Sequence, residues 1–264
     1  MLRNWHTNCN VPGNQYREVM SMYNSKKQSG FTLVEIAIVL VIIGLLLGGI
    51  LKGQELINSA RVRNLADQNS GIQAAYYGFI DRFRQVPGDW DQALATTAIG
   101  VAIVSPPTAG ANTGNGRIDE GDWEEASAVW EQLSKAGFIS GNYVGGGTAA
   151  NYTDGTHAPI NAFNGSLLLA RSLDFLTADD VISVTRRLSL DIGDNIPVKI
   201  ARELDVKVDD SKPHTGILRL APDAGGATDF SPVSESTSTD CVAAGTDEYD
   251  ITTDAQNCNL VFLY

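Results

Sequence analysis

The sequence predicts an α+β protein. One long N-terminal helix has a membrane-spanning first half, and short helices and a small antiparallel sheet follow it. Three observations carry this prediction. Residues 31–51 form an apolar run interrupted only by Thr32 and Glu35. Past Lys52 the helical period continues but turns amphipathic. Beyond residue 159 the chain breaks into short apolar runs bounded by turn residues.

The apolar run comprises about 21 residues, which at ~1.5 Å of rise each makes roughly 30 Å, the thickness of a hydrocarbon core. In lipid every backbone group must bond internally, so a lone span is a helix despite its β-branched residues. Lys26 and Lys27 stand just before it and hold that side cytoplasmic. After Lys52, the residues Leu65, Ile72, Tyr76, Phe79, Phe83 and Val86 recur on one helical face. Arg61, Arg63, Asp67, Asp81 and Arg82 lie mostly off that face. Val86-Pro87-Gly88 ends the pattern, because proline removes a donor and disfavours helix before it. One helix is therefore expected from residue 31 to about 84.

A short helix is expected over 89–98 with Asp89 as its cap. A loop over 99–117 is rich in Gly, Pro, Ala and Thr. A further helix should start at Asp119 or Asp122 and run to Ala136, stopped by Gly137, with Trp123, Ala126, Trp130 and Leu133 as its apolar face. The glycine-rich stretch 141–157 reads as a long exposed loop. Asn164-Gly165 is a hairpin signal beside a strand at 167–171. A second strand is expected within 181–192. Asp194-Asn195-Ile196-Pro197 then reads as the cap and first turn of a helix to about Val208 that buries Ile200 and Leu204. Strands at 216–220 and 259–264 flank a polar loop over 221–240.

The apolar run contains one costly residue. An unpaired carboxylate at Glu35 costs at least a few kcal/mol in a bilayer, so it implies function and a partner. The segment Gly30-Phe31-Thr32-Leu33-Val34-Glu35, with Lys26 and Lys27 before it and the apolar run behind it, resembles the processing site of type IV pilins and type II secretion pseudopilins. A secretory signal would have a shorter apolar core and small residues at its far end, whereas here Lys52 and a long helical pattern follow. A plain signal anchor would not place Glu35 inside the run. A second resemblance, to a pilin subgroup, rests on DRFRQVPGD, GNGRIDEGD, VWEQLSKAGFI and KVDDSKPHTGILR.

The resemblance implies a pilin-like fold and a defined set of roles. A membrane aspartyl peptidase cuts between Gly30 and Phe31 and methylates the new terminus at Phe31. Glu35 pairs with the N-terminal amine of a neighbouring subunit. Residues 1–30 become a leader, 31–52 the transmembrane and assembly helix, and 53–264 an amphipathic helix plus a periplasmic or extracellular globular domain. Partners are other pilin subunits, the prepilin peptidase/methyltransferase and the inner membrane. Met1, Met20 and Met22 are alternative starts, and a start at Met22 leaves the short basic leader MYNSKKQSG.

Processing removes Cys9 and leaves Cys241 and Cys258, an even pair that an oxidising compartment would join. Many pilins close such a C-terminal loop. Many also carry a proline where this chain has Lys52. Here the weak points of the helix are Gly44, Gly48, Gly49 and Gly53, and Gly44 with Gly48 forms a GxxxG pair. Tyr76, Tyr77, Phe79 and Phe83 admit two readings, core packing or the electron path proposed for some pili; their spacing favours packing.

The formal net charge is −12, from 19 basic and 31 acidic residues. The leader holds Arg3, Arg17, Lys26 and Lys27 against Glu18, so the mature chain is near −15, with 15 basic and 30 acidic residues. Such a surface repels phosphate backbones, and no basic run is longer than the pair Arg186-Arg187, so nucleic acid is not an expected partner.

No catalytic set, cofactor motif or metal-ligand set emerges. His157 and His214 are the mature histidines, and no serine stands in a G-x-S-x-G elbow. Asp209-Asp210 reads as a solvated helix end. The stretch 115–122 faintly echoes a calcium loop. Aligned on Gly116, however, it puts Ala111 and Thr113 where the first carboxylates belong and Asp122 where the bidentate glutamate belongs. The alternative is a turn followed by acids that favour a helix N-terminus.

The expected function is that of a non-enzymatic structural subunit of a type IV pilus or pseudopilus. The competing reading is a membrane-anchored minor tip subunit or adhesin that binds through its long loops. A membrane-anchored exported enzyme has no sequence feature in support.

Overall fold

The computed structural model describes residues 30–105, 113–178, 181–223, 228–231, 233–236, 239–243 and 245–264. Lys26, Lys27, the alternative starts, Cys9, Ala111 and parts of the two loops at 99–117 and 221–240 lie outside them. The chain divides into two compact units, Met1–Ile50 and Leu51–Tyr264. One helix, α1 (Leu33–Phe83), runs through the division. It starts two residues later than the apolar run and ends at Arg84, which takes a left-handed φ of 56°.

In the second unit α1 buries Val62, Leu65, Ile72, Ala75, Tyr76 and Phe79. Phe83 and Val86 are half-buried against the same core. Three polar ties hold this length of helix. Ser59 Oγ donates to Glu203 Oε1 at 3.4 Å, Gln68 Nε2 donates to the Ile160 carbonyl at 3.2 Å, and the Tyr264 hydroxyl donates to Asn69 Oδ1 at 2.7 Å. Tyr76, Phe79 and Phe83 pack in or against the core, whereas Tyr77 is exposed. Phe79 meets Phe83, Trp90 and Phe138 with ring centroids 4.7, 6.0 and 5.8 Å apart.

The sheet has four antiparallel strands in the order β1-β2-β4-β3: β1 (Leu168–Ser172), β2 (Arg187–Asp191), β3 (Leu218–Leu220) and β4 (Leu260–Leu263). Register places Leu169, Leu190, Phe262 and Leu218 in one cross-strand row. All four are buried in the main core, the face that joins α1. On the other face Val261 and Leu263 join Phe175 and Ala221 in a smaller cluster. Asn164, with φ 67°, turns the small bridge between Ile160 and Ser166 ahead of β1.

Two helix starts differ from expectation. Asp89 does not cap α2 (Gln92–Ile99); Asp91 does, its Oδ1 accepting from the Ala93 and Leu94 amides at 2.9 and 3.1 Å. Asp89 is turned inward, where it organises the turn over 114–117. The last helix, α4 (Val198–Val208), is not capped by Asp194. Ile196 pairs with Cys258 through both backbone bonds, at 3.1 and 3.0 Å, and Pro197 stays extended, so the helix starts only at Val198. Ile200 and Leu204 are buried as expected. Cys241 and Cys258 are disulfide-bonded with Cα atoms 5.8 Å apart.

The third helix, α3 (Trp123–Lys135), starts at its cap Asp122 and buries Ala126, Trp130 and Leu133. It also buries Glu125, Ser127, Glu131 and Gln132, polar residues outside the expected apolar face. Each of these receives a loop. Glu131 accepts from the Val104 and Ser105 amides at 2.9 and 3.1 Å and is paired to Lys135. Gln132 accepts from the Gly88 amide at 2.9 Å and donates to the Trp90 carbonyl at 3.1 Å. Ser127 Oγ accepts from the Gly147 amide at 2.9 Å, and Glu125 Oε2 from the Asp119 amide at 2.7 Å. The stretch 141–157 is thereby a docked segment rather than an exposed loop. Tyr152 is fully buried, accepting from the Trp130 indole at 2.8 Å and donating to the Leu167 carbonyl at 3.0 Å. Gly88 fits here because it has φ 94° and because a Cβ would stand 2.6 Å from Val129 Cγ2 and 2.7 Å from the Glu125 carbonyl.

Candidate processing and assembly site

The head of α1 gathers the residues singled out in the sequence. Every residue from 30 to 52 is exposed, Phe31 by 83% and Leu33 by 92%. α1 is long and apolar enough to cross a membrane. Gly30 and Phe31 precede the helix in irregular backbone, and no side chain crowds Gly30.

Glu35 is engaged within its own chain. Its Oε2 accepts from the Thr32 amide at 2.8 Å and from the Thr32 hydroxyl at 2.9 Å. In return the Thr32 hydroxyl accepts from the Glu35 amide at 3.2 Å. Thr32 is thus the N-cap and Glu35 the third helical residue, a reciprocal capping box that satisfies two of the helix's orphan donors. Both bonds use one oxygen of the carboxylate, and Oε1 faces outward without a partner among the described residues. The carboxylate also sits in the first turn, where the helix dipole favours negative charge. The resemblance gives Glu35 an assembly role and gives Thr32 none. The signal was present in Thr32-Leu33-Val34-Glu35, a T-x-x-E box opening an apolar run.

The other candidates are held by protein groups. Asp89 accepts from the Gly114 and Asn115 amides through Oδ1 and from the Gly116 and Arg117 amides through Oδ2. The turn that echoed a calcium loop therefore aims its amides at an internal anion. Asp119 accepts from Asn115 Nδ2 at 2.6 Å and from Arg117 Nε at 2.5 Å. Asp122 caps α3 through the Glu124 and Glu125 amides, at 3.0 and 3.1 Å. Glu125 lies beneath them, and burial pushes its carboxyl up to about 8.

A second group of carboxylates, Asp205, Asp209 and Asp210, converges at the end of α4. Tyr249 donates to Asp205 at 2.9 Å, the Leu218 amide to Asp209 at 3.0 Å and the Thr215 hydroxyl to Asp210 at 2.6 Å. His157 and His214 are buried. His157 Nδ1 lies 2.6 Å from the Val144 carbonyl and His214 Nδ1 lies 3.3 Å from Asp247.

Comparison with protein-family models matches residues 25–51 to the prokaryotic N-terminal methylation motif. Comparison with curated proteins and with solved structures returned no significant match. The matched stretch contains Gly30, Phe31, the Thr32–Glu35 capping box and the exposed apolar turns of α1. An exposed apolar helix with a capped carboxylate at its head therefore coincides with the prokaryotic N-terminal methylation motif, the hallmark of type IV pilins and pseudopilins, and this chain carries it.

Proposed function

We propose that the chain is a structural subunit of a type IV pilus or a related pseudopilus, cleaved after Gly30 and assembled through the first half of α1. The observation that carries the reading is the coincidence of the methylation motif with a helical stretch that the chain leaves wholly uncovered. In the inner membrane, lipid covers that stretch. In a filament, like helices cover it, so its apolar face passes from lipid to protein without exposure to water.

Cleavage would create an amine at Phe31, and Oε1 of Glu35 on a neighbour is an acceptor for it. The capping bonds hold the carboxylate through its other oxygen. Leaving either charge unpaired in an apolar bundle is costly, so the pair sets the register between subunits. Replacing Glu35 by Ala should leave cleavage intact and remove the protein from sheared filaments. Incorporation of Glu35→Ala at the wild-type level would sink the mechanism.

A further inference from the structure

We propose that the second unit carries a pocket for a zwitterionic dipeptide between α4 and the disulfide loop, in which Arg202 takes the ligand's carboxylate and Glu248 its ammonium group. The pocket lies within residues 202–251 and does not depend on how α1 is used.

Charge points to the ligand. The pocket has a volume of ≈ 420 Å³ and is lined by two cations, Arg202 and Lys212, and two carboxylates, Asp247 and Glu248. Asp247 is engaged. Its Oδ2 lies 3.8 Å from Lys212 Nζ, and its Oδ1 accepts from the His214 amide at 3.2 Å and lies 3.3 Å from His214 Nδ1. The other charged side chains of α4, of the turn over 209–214 and of the disulfide loop also have partners. Lys199 meets Asp254 and Lys207 meets Glu203. Asp205, Asp209, Asp210 and Asp250 accept from Tyr249, the Leu218 amide, Thr215 and Thr252. Arg202 and Glu248 are the exceptions. Both are exposed, and among the described residues neither side chain has a partner, not even the other across the pocket they share. A plain anion would meet Glu248 as a like charge, and a plain cation would meet Arg202 in the same way. One ligand with both charges answers both, and arginine's planar fork suits a carboxylate.

Shape and rigidity agree with that ligand. A pocket of this volume holds a dipeptide more fully than a single amino acid. Ile251 lines it and is 43% exposed, a seat for one aliphatic side chain. The walls are set in advance. The bridge from Cys241 to Cys258 closes the loop that carries Asp247, Glu248 and Ile251. Within that loop the Asp250 amide donates to the Cys241 carbonyl at 3.1 Å. The Tyr249 hydroxyl donates at 2.9 Å to Asp205, a fully buried residue of α4. Loop and helix are thus tied to each other beside the pocket, and a ligand orders little more than Arg202 and Glu248 when it binds.

The test titrates the full chain in detergent with alanyl-leucine and follows the bound peptide by saturation-transfer NMR. The wild type should bind it saturably. N-acetyl-alanyl-leucine lacks the ammonium group and alanyl-leucine amide lacks the carboxylate. Each should bind about tenfold more weakly, the effect of one charged hydrogen bond. Arg202→Gln should weaken the free dipeptide about tenfold and leave the amide unchanged. Glu248→Gln should weaken it by a similar factor and leave the acetylated peptide unchanged. Both side chains are exposed, so the fold should tolerate either change. Absence of saturable binding to the wild type, or equal affinity for the blocked peptides, would overturn the proposal. So would a loss on Arg202→Gln as large for the amide as for the free dipeptide, because the arginine would then not be reading a carboxylate.

Discussion

The two halves of α1 share one helix and obey different physics. Residues 33–51 are all exposed and, among the described residues, make no tertiary hydrogen bond, and their order begins with the Thr32–Glu35 box. From Val62 to Phe79 the helix buries six side chains and is tied by Gln68 and Asn69 to residues as distant as Tyr264. A helix within a protein draws most of its stability from packing of one face. The second half has that packing within the chain, and the first half must find it in lipid or in other copies. Sequence composition follows the division: the first half is apolar all round, and the second has a single apolar stripe.

The sharpest way to break this contrast is a pair of truncations. Phe79→Ala should lower the unfolding free energy of the second unit by about 3–5 kcal/mol, because it empties a buried site ringed by Phe83, Trp90 and Phe138. Leu40→Ala, in the exposed half, should leave that unfolding within about 0.5 kcal/mol. Denaturant titration of both variants in detergent checks this, and an equal loss in the two would erase the distinction.

Next in size is the C-terminal bridge. Cys241 and Cys258 are 17 residues apart, and replacing both by Ser should cost about 3 kcal/mol, mainly through the freed unfolded chain. The loss belongs to the second unit alone, so helix content over residues 33–51 should not change.

The pH dependence also belongs to the second unit. Burial raises Glu125 to about 8 and Asp174 and Asp205 to about 6. A carboxyl raised in the fold keeps a proton that the unfolded chain has released. Its stability contribution is full below the unfolded value near 4 and is lost as pH rises through the folded value. Thermal unfolding should therefore occur at a lower temperature at pH 8.5 than at pH 5, with a difference on the order of 2 kcal/mol. Glu125→Gln should flatten the part between pH 6 and 8. A second unit that grows more stable with rising pH would contradict the burial argument.

The smallest effect lies in the first half. Thr32→Ala removes the hydroxyl's two bonds of the capping box, keeps the backbone amide's bond to Glu35, and should cost about 1 kcal/mol at the head of α1. Hydrogen exchange should show faster amides near residues 33–36 and no change in the sheet.

What could be read from the sequence follows the same line. The span, the misplaced carboxylate and the buried stripe through Leu65, Ile72, Tyr76 and Phe79 are local patterns, and local patterns survive without a structure. So do the caps and stops of α3 at Asp122 and Gly137. The buried polar face of α3 was not legible. Glu125, Ser127, Glu131 and Gln132 lie off the apolar face that the spacing predicts, and nothing in the local pattern marks the loops that they hold. Asp89 suits a cap by local pattern but is drawn inward by amide partners some 25 residues away, beyond any local window. Asp194 was mistaken for a cap because Ile196 is drawn into pairing with Cys258 across the disulfide loop. In each case a long-range hydrogen bond overrode a short-range preference. The Thr32–Glu35 box is the opposite case, a local signal at the site itself that assembly chemistry overshadowed.

The central claim is that the exposed half of α1 begins a mature, processed chain. Mass spectrometry of the intact protein from its native membrane tests this most directly. The account predicts a chain that starts at Phe31, lacks residues 1–30 and carries one added methyl group on its amine. A chain that retains Gly30, or that starts at Phe31 with an unmodified amine in assembled filaments, would contradict it.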